Sequence, residues 1–118
     1  MKTYYKIMDY SKDGPKTLFH ANNGSKIIPT KEWIEATKYE LVTDGSSSTQ
    51  YMSGWHVFET IEEAKEYLHK GFKNIVDKII VSCYIMGEIR PKSHSRSNVW
   101  LSQMIYLDEI VYKHKTIY

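Results

Sequence analysis

Three permanent cations, one histidine and three hydroxyls fall within a single short stretch, Arg90-Pro91-Lys92-Ser93-His94-Ser95-Arg96-Ser97. Arginine grips a phosphate or carboxylate through two parallel N–H bonds, and lysine adds a point charge. Serine hydroxyls and backbone N–H groups complete such an anion site. Pro91 stiffens the segment and so lowers the cost of ordering it on binding. His94 gains charge beside an anion or moves a proton. The candidate ligand-binding set is therefore Arg90, Lys92, Ser93, His94, Ser95, Arg96 and Ser97, joined by Tyr51 and His56. A tyrosine ring offers a stacking surface, and an imidazole a titratable donor. The plainer alternative is a solvated connection whose charges keep a sheet edge soluble. His56, beside Phe58 on one strand face, equally reads as a half-buried histidine satisfied by its neighbours.

Other chemistry is thinner. No GxSxG elbow, P-loop or GxGxxG stretch occurs. His20, His56 and His94 show no HxH or HxxxH spacing, so no metal is expected. Cys83 alternates with Val81 and Ile85 on one strand face and has no cationic neighbour in sequence, which reads as core packing. The carboxylate pairs Glu62-Glu63 and Asp108-Glu109 are explained by solvation. No catalytic residue and no cofactor are expected, and the balance leans away from an enzyme.

The elements that must position the basic stretch are clearest around it. Gly54 to Glu59 reads as a strand, with Trp55, Val57 and Glu59 facing one way and His56 and Phe58 the other. Thr60-Ile61-Glu62-Glu63 is a capping box, and Ile61, Ala64, Leu68 and Phe72 form an apolar helical stripe with Tyr67 beside it. Glu62 and Glu63 meet the positive end of the helix dipole, and His69 and Lys70 the negative end. Gly71 suits the position just after the helix. Val76 to Met86 is apolar on both faces, as in a central strand. Gly87 to Ser97 reads as an interruption. A last strand runs from Asn98 to Tyr112, with Val99, Leu101, Gln103, Ile105 and Leu107 on one face and a bulge or break at Asp108-Glu109.

The first half is less regular. Thr3 to Tyr10 reads as an opening strand with poor alternation. It is followed by a turn at Ser11–Pro15 and a second strand from Lys16 to His20. Thr30 to Thr37 reads equally as a short helix or as extended chain. Tyr39 to Thr43 reads as a short strand, Asp44 to Gln50 as a loop, and Lys113 to Tyr118 as a basic tail. The expected fold is α+β, one domain over residues 1–118: a small mixed or antiparallel sheet packed against one main helix at about 60–71.

The totals agree with a small globular chain. It has 118 residues, 42% hydrophobic and 25% charged, with a formal net charge of +2. That charge is too small to identify a nucleic-acid binder by itself. One cysteine excludes an internal disulfide framework and suggests a reduced, cytoplasmic setting. No apolar run approaches the ~20 residues of a membrane span. The opening residues lack the apolar core of a signal peptide.

The stretch Ser53-Gly54-Trp55-His56-Val57-Phe58, the Glu62-Glu63-Ala64 helix and the RPKSHSRS turn before Val99-Trp100-Leu101 resemble a group of small phage and prophage proteins. In these a glycine–aromatic–His-x-Phe strand precedes an EEA helix, and a basic turn precedes the last strand. The resemblance covers roughly the C-terminal half and implies a context, counter-defence against a host, more than a chemistry. It directs expectation to a nucleotide signal or a nucleic acid as ligand. The alternative is an interaction module that inhibits a host protein through Tyr4, Tyr5, Trp33 and Tyr51. A homo-oligomer is left open. A weaker similarity to ADP-ribosyltransferase-like folds would cast His20, Tyr51 and Gln103 or Glu109 as a site.

Overall fold

The computed structural model describes residues 1–18, 27–36, 41–43, 50–52, 54–71, 77–91 and 99–113. The strands are β1 (Tyr4–Asp9), β2 (Trp33–Glu35), β3 (Leu41–Thr43), β4 (Gln50–Met52), β5 (Trp55–Phe58), β6 (Lys78–Pro91) and β7 (Val99–Lys113), with the helix α1 (Ile61–Gly71) between β5 and β6. Five of them form one antiparallel sheet in the order β2-β7-β5-β1-β6, and β3 and β4 pair separately. The sheet dominates, and the single described helix packs on it. The Thr30–Thr37 segment, open between helix and strand in the sequence, is extended at Trp33–Glu35. Of the second strand expected at Lys16–His20, the described part makes only isolated bridges, Lys16 to Asp9 and to Ile27.

The sheet closes on itself. β6 pairs with β1 over Lys78–Cys83 and with β7 along most of its length. β7 pairs with β5 through Val99–Ser102. β5 returns to β1 at Tyr5 opposite Phe58, completing a circuit of four strands. β2 lies further along β7, opposite Met104–Tyr106. Closure leaves two apolar clusters. One gathers Met8, Val57, Ile79, Val81, Cys83, Ile105 and Leu107. The other lies beneath α1 and gathers Ile7, Phe58, Ala64, Leu68, Ile80 and Val99. Ile79, Val81 and Cys83 therefore share one side and Ile80 the other, as the alternation requires.

α1 starts where its cap predicts. The Thr60 hydroxyl accepts from the Glu63 N–H at 3.1 Å and donates to the Glu63 carboxylate, also at 3.1 Å. Ala64 and Leu68 are fully buried on the helix's inner stripe. Phe72 lies outside the described residues.

Two irregularities shape the β6–β7 hairpin. Register shifts around Val81 fall opposite Asp108-Glu109, where the sequence indicates a bulge. There the Ser82 hydroxyl stands in for the ladder: it accepts from the Glu109 N–H and donates to the Glu109 carbonyl, both at 3.2 Å. The second shift, between Met86 and Ile89, contains Gly87 at φ 83°. Across from it the alternation read from the sequence is broken. Val99 joins the cluster under α1, while Ile105 and Leu107 join the other. A side chain at Gly87 would suffer the left-handed backbone and would begin 2.7 Å from Gln103 Oε1, which accepts from the Glu88 N–H. Gly87→Ala is expected to cost about 1–2 kcal/mol, chiefly from the backbone because the Gln103 side chain can move. A urea denaturation midpoint unchanged from wild type would refute this.

Candidate functional site

The basic stretch begins on a strand. β6 runs through Pro91, so Gly87–Pro91, expected as part of an interruption, is extended, and Arg90 sits on a strand end. The reason lies in the edges. β1 covers β6 only as far as Cys83, so Tyr84–Pro91 pairs with β7 alone among the described strands, and an edge position tolerates a proline. Lys92, Ser93, His94, Ser95, Arg96 and Ser97 lie outside the described residues. Tyr51 lies on β4, opposite Val42 in the separate two-stranded sheet.

The register brings Arg90 and His56 together. Arg90 stands opposite Leu101, and Leu101 opposite His56, so the three occupy one row across β6, β7 and β5. Directly opposed residues share a face, and two strand spacings put the Arg90 and His56 backbones about 10 Å apart. Leu101 is fully buried between them, and both flanking residues are half-buried. Arg90 is already ion-paired with Glu88 two residues earlier. Its guanidinium is therefore held in place, and an incoming anion must join that carboxylate or displace it.

One residue near this row has no counterpart in the sequence reading. Lys6, on β1, is 8% exposed. Its ammonium donates to the His56 carbonyl at 3.1 Å and lies 5.6 Å from the centre of the Trp55 ring. No carboxylate accompanies it among the described residues. By contrast Lys2, Lys31, Lys70 and Lys78 each pair with one: Glu59, Asp108, Glu66 and Asp9. Burial pushes the Lys6 amine down to about 8, against a small upward pull from Cys83. Burial likewise pushes the Cys83 thiol up to about 12, against the pull of Lys6. Cys83 is thus an inert core thiol, as its alternation suggested, but it has a cation near it in space that chain order did not reveal. The signal for Lys6 was the poor alternation of Tyr4–Asp9. With Tyr4 and Met8 sharing its side of the strand and Tyr5 and Ile7 on the other, neither side of β1 was free to face water.

The remaining candidates scatter. Of the transferase-like set, His20 is outside the described residues, and Tyr51 belongs to a different sheet from Gln103 and Glu109 on β7. Gln103 is engaged with the Glu88 N–H and, at 3.5 Å, with Glu35. The proposed protein-binding anchors Tyr4 and Tyr5 pack against the two cores, one on each. Among the described residues no group of three or more His, Cys, Asp or Glu is placed to hold a metal. No described helix is long and apolar enough to cross a membrane. No protein-family profile matches the chain, and no curated protein or solved structure is significantly similar to it.

Proposed function

We propose that the chain is a non-enzymatic binder of an anionic ligand, a nucleotide or a nucleic acid. Arg90 and His56 anchor the ligand at the end of β6, together with the cations Lys92, His94 and Arg96 that follow in sequence. The observation that carries this reading is the row Arg90–Leu101–His56, in which two residues far apart in the chain flank one buried leucine. Arg90 already carries a carboxylate, Glu88, in the position an incoming anion would take, so its guanidinium is placed where it can receive one. The likeness of the C-terminal half to phage and prophage proteins supports a counter-defence setting, in which sequestering a host's nucleotide signal would be the task.

The test is calorimetric titration with ATP and, separately, with a single-stranded oligonucleotide at pH 7. The pair Arg90→Ala and Arg96→Ala is expected to weaken binding at least thirtyfold, because charge-assisted bidentate contacts are among the strongest available. Thermal stability should stay close to wild type, since an exposed ion pair contributes only about 0–1 kcal/mol. Glu88→Gln should tighten binding several-fold by removing the competing carboxylate. Unchanged affinity in the double variant would sink the reading.

A further inference from the structure

Three strands present a second surface, beyond the part of the sheet that α1 covers. Trp33, Tyr106 and Tyr84 lie side by side across β2, β7 and β6. Their rings touch in sequence, Trp33 to Tyr106 at 5.6 Å and Tyr106 to Tyr84 at 5.9 Å between centres. Two residues along each strand, with the register unbroken, Glu35, Met104 and Met86 form the next row on the same face. Between them Ile34, Ile105 and Ile85 point the other way, into the core. The face is open. Met86 is 45% exposed, Glu35 is exposed, and the three rings are half-buried. α1 packs on β1, β5 and β6 and covers Ile7, Phe58, Ile80 and Val99 instead.

The charges around this face say what it suits. Lys31 and Arg90, two of the cations flanking these strands, are each matched by a carboxylate, Asp108 and Glu88. Among the described residues Glu35, on the face, meets only the neutral amide of Gln103, and Glu32 is exposed immediately before β2. Among the described residues the charge left over on this face is that of Glu35, beside three aromatic rings and two methionines. Guanidinium and ammonium groups bind well over such rings, and methionine adapts to irregular partners. A polyanion would meet repulsion here.

We propose that this face is a docking surface for a basic partner: an arginine- or lysine-rich segment of another protein. Its cationic side chains lie over Trp33, Tyr106 and Tyr84 and meet the carboxylate of Glu35. It uses residues other than those of the anion site at Arg90 and does not rest on that reading. The anchors differ from those the sequence suggested: Trp33 remains, and Tyr84 and Tyr106 replace Tyr4 and Tyr5.

The experiment uses the whole chain and three probes: a short peptide alternating arginine and leucine, its counterpart alternating glutamate and leucine, and a single-stranded oligothymidylate. Binding is followed through backbone amide shifts. The arginine peptide is expected to bind saturably, with shifts confined to Trp33–Glu35, Tyr84–Met86 and Met104–Tyr106. The double change Trp33→Ala and Tyr106→Ala should weaken it at least tenfold. Glu35→Gln, a surface change that spares the fold, should weaken it about threefold and flatten its salt dependence. The proposal is overturned if the glutamate peptide or the oligothymidylate shifts these rows as strongly. It is equally overturned if sedimentation shows two copies of the chain pairing through this face, or if no probe shifts these rows at millimolar concentration.

Discussion

Replacing Lys6 by methionine is expected to raise stability at pH 7 by about 2 kcal/mol, an unusual direction for a core substitution. In the folded chain Lys6 is 8% exposed, and its ammonium has one carbonyl and the face of an indole for company. Burial lowers its pKa from the ordinary 10.5 to about 8. That difference corresponds to about 3 kcal/mol of preference for the charged form in the unfolded chain. Methionine has a similar length and no charge, so it removes this penalty. It also forfeits the bond to the His56 carbonyl, about 1 kcal/mol.

The pH dependence identifies the cause. Below pH 8 Lys6 is protonated whether folded or unfolded, and the whole penalty stands. Between pH 8 and 10.5 the unfolded chain holds the proton and the folded chain has released it, so the unfolded state binds more protons and stability rises with pH. Above 10.5 neither form is charged and the penalty is gone. The advantage of the methionine variant over wild type should therefore shrink steadily from pH 8 to 10.5. The charged and titratable neighbours on the packed strands are Tyr4 on β1, His56 on β5 and Cys83 on β6. Cys83, pushed up to about 12, keeps its proton throughout that window. Paired urea denaturations at pH 7 and pH 10 test the claim. A variant less stable than wild type at pH 7, or a gap that does not narrow, would refute it.

The residues explain which parts of this architecture could be read in advance. α1 was legible because its information is local. Thr60 and Glu63 cap it, and Ala64 and Leu68 lie at helical spacing, so no distant contact was needed to specify it. The bulge at Asp108-Glu109 was legible because two acidic residues interrupt an apolar strand. Arg90 and Pro91 were misplaced in a loop because Gly87 and Pro91 both punctuate. Their strand character follows from pairing with Leu101 and Trp100 across the hairpin, a long-range fact. The row that unites Arg90 with His56 depends on register and on the shift at Gly87, and neither is visible in composition. Trp33 was ambiguous for the same reason: only its pairing with Tyr106 makes it a strand residue and shows which rings stand beside it. Local signals specified elements, and the juxtapositions that could bind something came from closure of the sheet.

Phe58→Ala tests that closure and is expected to cost about 3–5 kcal/mol. Phe58 is opposed to Tyr5 on one side and to Val99 on the other, so the circuit of four strands passes through it. Phe58 is 4% exposed, and its ring packs against Tyr67 of α1 at 5.3 Å between centres, in the same cluster as Ala64 and Leu68. One truncation thus opens a cavity beneath the helix and loosens the strand that carries His56. Against a typical total of about 5–15 kcal/mol, the loss is a large fraction of the protein's stability. Phe58→Leu keeps most of the apolar volume and should cost distinctly less. Two measurements separate a cavity from a broken circuit. If closure depends on Phe58, the backbone amides of β1 and β5 should exchange with solvent markedly faster in the alanine variant, while those paired between β6 and β7 at Tyr84–Met86 keep their relative protection. A uniform loss of protection would mean that Phe58 contributes packing alone. A cost below about 1 kcal/mol would mean that the β1–β5 join contributes little to stability. Because His56 rides on β5, loosening that strand should also weaken ATP binding at the anion site proposed around Arg90.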